Sequence, residues 1–514
     1  MLETYTVPYS SLLKYFMTQC IAAAPQRIRR GRHGWWVLGL PAVLAACAQI
    51  PEWEGKAVLA QPVPETLQAA SHAPPMDWPT QQWWQRYGDA QLDQLIAEAL
   101  EGAPDMAAAA ARVLQARAML GVSEAASAPQ LSARASVSED KLSYNHLTPE
   151  AFAPRGMNDY GRATLDLSWS LDLWGKQRAA VAAAAGELAA READAAQARL
   201  LLSSNVALAY AQLLRLAANA QTLEQSVQVR RTTAELFEQR YANGLENQGS
   251  VHSARARLAA AQAELAQMQE QVALQRNSIA ALIGAAPDRG AAIVLDAGRL
   301  QSPWQQQWAL PEQLPAHLLG RRPDVVAARL QAQVLESRVA SQQAEFYPDV
   351  NLSAFVGVQS LGLDMLSRSG SGIASVGPAV SLPIFNGGRL RSQLGAARAR
   401  YDEAVAQYRS TLNRALQEVA DNAVSQRALL QQLTAMQQAV TAATEAHRVA
   451  RNRYEGGLAR YLDVLSAEDQ LLASVRQLVD VQSRALTLDI GLHRALGGGW
   501  SESAGASVAA TPKA

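Results

Sequence analysis

The chain lacks most of what enzymes and disulfide-built secreted domains are made from. Its 514 residues include only two cysteines, Cys20 and Cys47, which give neither a disulfide framework nor a thiolate metal cluster. The seven histidines (His33, His72, His146, His252, His317, His447 and His493) are scattered. None forms an H-x-x-x-H pair or neighbours a cysteine in a ligand pattern, so no metal site is expected. Aromatic residues make up 6% of the chain although hydrophobic residues make up 49%. Alanine fills much of the difference, which suits helices whose backbones approach closely. There is no net charge, with 46 basic against 46 acidic residues, so an electrostatic footprint for nucleic acid is absent. No nucleophile-elbow motif occurs. Gly497-Gly498-Gly499 ends a helical stretch and follows no strand, so it is not a phosphate loop. No cofactor is expected, and the chain does not read as an enzyme.

Proline is missing from two very long stretches. Lys176 to Ala242 and Arg389 to Glu455 have none, and each has a single glycine, Gly186 and Gly395. Each stretch is 67 residues, so each spans roughly 100 Å as a continuous helix. Helices of that length without internal stops suggest coiled-coil packing. In the segment after the first stretch, Val251, Leu258, Leu265, Val272 and Ile279 fall every seventh residue. Ala254, Ala261, Met268, Gln275 and Leu282 follow three later. This is an a/d seam with mostly small d residues. Val464, Leu471, Leu478, Ala485 and Leu492 repeat it.

These parts recur in order, so the chain is a duplication. Arg240-Tyr241-Ala242-Asn243-Gly244-Leu245 returns as Arg453-Tyr454-Glu455-Gly456-Gly457-Leu458. Pro104-Asp105 returns as Pro323-Asp324, and Trp174-Gly175 echoes Phe385 to Arg389. The expected domains are a signal segment 1–46, an extended arm 47–80, a first repeat 81–300, a second repeat 301–500 and a disordered tail 501–514. Each repeat reads helix, strand, loop, strand, very long helix, tight turn, long helix.

A soluble helical bundle explains the helices equally well but not the strands. Leu131, Ala133, Ala135 and Val137 alternate with Ser132, Arg134 and Ser136. Leu165, Leu167, Trp169 and Leu171 alternate with Asp166, Ser168 and Ser170. Val350 to Val358 and Val376 to Leu382 show the same period of two. Apolar on one side and small or polar on the other, over about nine to eleven residues, is a membrane-barrel pattern. A soluble sandwich with one wet face is the competing reading. If the strands span a membrane, open edges cannot stand in lipid. Four strands do not close a barrel, so several copies must share one. Trp169, Trp174 and Phe385 suit the interfacial aromatic girdles.

The N-terminus carries Arg27, Arg29, Arg30 and Arg32, then an apolar run from Trp35 to Ala46, too short to span a bilayer. It reads as a secretory signal. Leu44-Ala45-Ala46-Cys47 resembles a bacterial lipobox, which implies cleavage before Cys47 and its acylation. A signal peptide with an incidental cysteine is the alternative. Ala48, rather than an aspartate, favours the outer membrane.

Trp83-Trp84, Tyr87, Asp89, Trp169 to Gly175, Arg321-Arg322-Pro323-Asp324 and Pro383 to Arg389 stand in order within the duplicated frame. Together they resemble the TolC-like outer-membrane efflux protein family, in its lipoprotein branch of OprM/NodT type. The resemblance runs from Trp83 to Gly497. It implies a mainly α fold with membrane β: a homotrimer whose four strands per chain form a twelve-stranded outer-membrane barrel, continued by a long periplasmic α-helical barrel. It further implies a periplasmic adaptor and an inner-membrane pump, of the resistance-nodulation-division type, as partners, with outer-membrane lipid around the barrel. The tube would be a passive exit duct for drugs or other small toxic compounds. A duct for secreted proteins and a pore-free coiled-coil lipoprotein are the alternatives.

The two turns would be the periplasmic tips. Gly244, Leu245, Gly457 and Leu458 are candidate adaptor contacts, although chain reversal alone explains the glycines. Asp463 would repeat as three carboxylates around the narrow end, a ring that favours cations and constricts the bore. It matches the family's gate acids, with Tyr454 and Arg460 as candidate members of the hydrogen bonds that hold the tip closed. Ser466 and Ser250 stand where some members carry further acids. The plainer reading of Asp463 is a first-turn helix cap.

Overall fold

The computed structural model describes residues 50–53, 55–59, 78–141, 143, 154–301 and 320–502. The expected signal segment 1–46, the lipidation candidate Cys47, residues 60–77 of the arm and residues 503–514 of the tail lie outside the described residues.

A 3-10 turn, Trp83–Tyr87, leads into α1 (Ala90–Gly102). Asp89 starts α1, its carboxylate accepting from the amides of Gln91 at 3.0 Å and Leu92 at 3.2 Å. Next come α2 (Pro104–Ala125), β1 (Gln130–Asp140), β2 (Asn158–Leu171), α3 (Lys176–Ala242) and α4 (Gln248–Leu282). A short α5 (Pro287–Ala291) precedes the second set: α6 (Pro323–Ala344), β3 (Asp349–Leu361), β4 (Gly372–Ser381), α7 (Arg389–Glu455) and α8 (Tyr461–Ala495). The two sets match in length: α2 and α6 have 22 residues each, α3 and α7 have 67, α4 and α8 have 35. Proline begins both α2 and α6, where its missing N–H costs nothing.

The expected seam of α4 is buried or half-buried at all ten positions from Val251 to Leu282. Its one large polar member, Gln275, donates to the Ala209 carbonyl of α3 at 2.9 Å. The α8 seam is likewise buried or half-buried, but α8 hides a second stripe that includes Leu465, Glu468, Val479 and Leu486. The reason is that α8 packs on α3 of the other repeat as well as on α7.

The main core sits midway along α3, where Leu213, Leu214 and Leu223 are buried. Trp83, Leu95, Ile96, Ile279 and Ile490 close around that stretch. α3 has a window apolar enough to cross a membrane, yet 67% of it is buried against neighbouring helices. An all-round apolar helix in that setting is a core helix. Beside this core the Tyr87 hydroxyl donates to Asp489 at 2.6 Å, and Arg86 lies 2.7 Å from Nε2 of His493. Burial, aided by Arg86, holds His493 down to about 3, so at neutral pH it is uncharged and accepts from Arg86.

The strands form one antiparallel sheet in the order β1-β2-β3-β4. Register shows that the two sides stay separate across all four. Leu131, Leu167, Ala354 and Val376 line up, as do Ala133, Leu165, Val356 and Ala374. Ser132, Asp166, Phe355 and Ser375 line up on the other face. One face is therefore apolar from edge to edge, and β1 and β4 leave both edges open. Trp169, Trp174 and Phe385, all exposed, gather where the sheet gives way to the long helices. The Trp174 indole donates to the Pro348 carbonyl at 2.8 Å and stacks on Tyr347 at 4.9 Å, tying one repeat to the other.

Residues 51–53 and 55–59 lie along α7, with a turn at Gly55. Arg398 donates to the carbonyls of Pro51 at 2.6 Å and Glu52 at 2.9 Å. Trp53 meets Tyr401 edge-on at 5.2 Å, and Lys56 pairs with Glu336 of α6 at 2.6 Å. Further down, Arg409 donates to the Val58 carbonyl at 2.8 Å.

Candidate functional site

The α3–α4 and α7–α8 turns use the same chemistry. Gly244 and Gly457 both have φ of +72°, a left-handed conformation that other residues adopt only at a cost. The Leu245 amide donates to the Arg240 carbonyl at 2.8 Å, and the Leu458 amide to the Arg453 carbonyl at 2.8 Å. These bonds close the last turn of each long helix in a Schellman motif. A Cβ added at either glycine would meet nothing within 4 Å, so backbone angle alone demands glycine. Gly457→Ala should therefore cost about 1 kcal/mol locally. Amide hydrogen exchange at Leu458 should speed up roughly fivefold while trimer melting stays put. Unchanged exchange would contradict this account of the turn.

The helices after the turns are capped by different residues. In the first repeat Asn247 caps α4, its Oδ1 accepting from the Ser250 amide at 2.9 Å. In the second, Arg460 stands at the position of Asn247 and Asp463 at that of Ser250. Oδ2 of Asp463 accepts from the Arg460 amide at 3.0 Å, while the Asp463 amide donates to the Arg460 carbonyl at 3.0 Å. Asp463 is thus a cap in the single chain, and its side chain remains exposed.

Leu245 and Leu458 stand outside all packing, 67% and 75% exposed. Tyr454 turns inward instead. Its ring meets Tyr461 at 5.3 Å, and Tyr461 meets Phe237 of the first repeat at 4.7 Å. The Tyr454 hydroxyl is buried without a hydrogen-bond partner. Tyr454 and Arg460 hence form no hydrogen bond or ion pair with each other within the chain, among the described residues. Both line a cavity of about 530 Å³ between the two repeats, together with Arg230, Arg257, Ser250 and Leu465.

The strongest polar link beside this cavity was not visible in the spacing. Arg230 of α3, its side chain 15% exposed, pairs with Glu468 at 3.4 Å and Asp469 at 2.7 Å on α8. Arg257 of α4 also reaches Asp469, at 3.4 Å. Glu468 is 6% exposed, and a buried carboxylate on an amphipathic helix needs a counter-charge. That need was the available signal; its partner, 238 residues away, was not.

A family model described as "Outer membrane efflux protein" matches residues 95–285 and 314–498. The multidrug resistance outer membrane protein MdtP of Escherichia coli O6:H1 is 32% identical over 473 residues, covering 90% of this chain and 96% of that one. The fusaric acid resistance protein FusA of Burkholderia cepacia is 36% identical over 370 residues, 71% of this chain and 68% of its own. Among solved structures, the outer membrane protein VceC of Vibrio cholerae superposes with a TM-score of 0.75 at 48% identity, over 82% of this chain and all of that one. Such channels are trimers with a shared β-barrel and an α-helical barrel, which gives the open edges of β1 and β4 their partners. The chain belongs to the outer membrane efflux protein family, as a TolC-like channel subunit that supplies four strands to a twelve-stranded outer-membrane barrel and its long helices to the periplasmic barrel beneath.

Proposed function

We propose that the trimer is the exit duct of a tripartite pump for small organic compounds. The observation that carries this reading is the sheet, apolar from edge to edge on one face and polar on the other. The names of MdtP and FusA attach them to multidrug and fusaric acid resistance, which supports organic cargo. Energy comes from an inner-membrane pump of the resistance-nodulation-division type, and the duct itself is passive. A periplasmic adaptor bridges pump and duct. Leu245 and Leu458, exposed at the two turns that Gly244 and Gly457 shape, are its contacts.

Cys47 is the acylated anchor of this reading. The arm meets α7 at Arg398, nine residues below the sheet junction, about 14 Å along the helix.

Asp463 is both cap and gate. Three copies ring the narrow end, with Arg460 and the unpartnered Tyr454 hydroxyl beside them. Asp463→Asn keeps an oxygen for the Arg460 amide and removes the charge. It should leave trimer stability intact, raise single-channel conductance and abolish block by divalent cations. Unchanged conductance and unchanged cation sensitivity would defeat the gate role and leave the cap alone. For the duct itself, expression in a host lacking its own outer-membrane efflux channel, with adaptor and pump supplied, should lower drug accumulation. Equal accumulation with and without the chain would overturn it.

A further inference from the structure

We infer that the polar face of the sheet holds a binding site for amphipathic organic anions, formed by Arg134, Arg162 and Phe355. The inference rests on the duct reading, which makes that face the lumen. Serine, threonine and glycine fill much of the middle of the face, and Arg134, Arg162 and Phe355 stand out among them. Arg134 lies opposite Thr164, and Arg162 lies opposite Ser136, so the two arginines are diagonal neighbours. Among the described residues neither guanidinium has a carboxylate within ion-pair distance. The acid two residues along from Thr164, Asp166, instead accepts the Thr164 hydroxyl at 3.0 Å. In a trimer the two arginines of each chain repeat as a belt of guanidiniums, and arginine rings favour anions.

Phe355 gives the belt an apolar shelf. It pairs in register with Asp166, four residues from Arg162, a span of about 13 Å along the strand. Even so, the Arg162 guanidinium stands 5.3 Å from the centre of the Phe355 ring. Between them lies Gly357, opposite Thr164, where a Cβ would collide with the Ala163 carbonyl. A carboxylate or sulfonate would take the guanidinium fork, with its aromatic or alkyl body against Phe355. In a water-filled bore such contacts are weak enough to release the solute again, as transit requires.

The test uses the purified full chain in planar bilayers with a potassium chloride gradient. Relative to wild type, Arg134→Gln/Arg162→Gln should shift the reversal potential toward cation selectivity. Benzoate in one chamber should reduce chloride current through wild type more than acetate does, by about two- to fivefold in effective concentration. Phe355→Ala should lose that preference and keep the reversal potential. An unchanged reversal potential in the double variant, or equal action of benzoate and acetate on wild type, would overturn the site. If the double variant fails to form trimers, the benzoate-against-acetate comparison on wild type decides alone. Wild-type trimers that carry no current at all would defeat the duct reading itself, and this site with it.

Discussion

Arg230→Ala is expected to give a duct that stands open at its tips. Reconstituted trimers should show a several-fold higher single-channel conductance, and cells carrying them should become sensitive to antibiotics otherwise too large to enter. The reason lies in Glu468. In the native chain its buried carboxylate faces Arg230, and Asp469 shares that arginine and Arg257. Removing one partner of a buried pair costs about 3–5 kcal/mol; the tip cavity admits water, so about 2 kcal/mol is the fairer figure here. That is roughly thirtyfold in the balance between packed and parted helices. The edge-to-face rings of Phe237 and Tyr461 are then left to hold α8 against α3. Arg230→Lys keeps the charge and loses the fork, and should fall between. Normal conductance from intact Arg230→Ala trimers would show that this link does not hold the tips.

The sheet supplies the other large effect. Leu165→Arg places a cation on the apolar face, between Ala133 and Val356. Near the bilayer midplane that costs about 2–4 kcal/mol per copy, three times over in a trimer. Heat-resistant trimer should vanish from outer-membrane fractions. Ser168→Arg, three residues along the same strand, faces the other way and should assemble normally. Equal behaviour of the two variants would mean that the faces are not lipid and lumen.

The contrast between those two residues was legible in the sequence, because period two is a local signal. The 67-residue helices were legible for the same kind of reason: nothing inside them stops a helix, and glycine stands where each must turn. The a/d seam of α4 also read through, down to Gln275, which fills its place by reaching a backbone carbonyl. What did not read through is long-range. Glu468 announces a need for a cation, but nothing local names Arg230. The composition of the arm says extended chain, yet not that Arg398 and Arg409 would hold its carbonyls. Asp463 was ambiguous for a deeper reason. One chain is enough to make it a cap, whereas a gate exists only when three copies meet. The two repeats exchange the capping duty between Asn247 and Asp463, so only the second repeat presents an acid at this point in the fold.

The duct function depends on the polar face of the sheet lining a water-filled bore shared by three chains. The most direct measurement is single-channel recording from purified, detergent-stable trimers in planar bilayers. Discrete current steps of uniform size, raised by Arg230→Ala and Asp463→Asn, are the predicted result. Trimers that insert and stay silent in wild type and both variants, or a chain that remains monomeric without conductance, would contradict it.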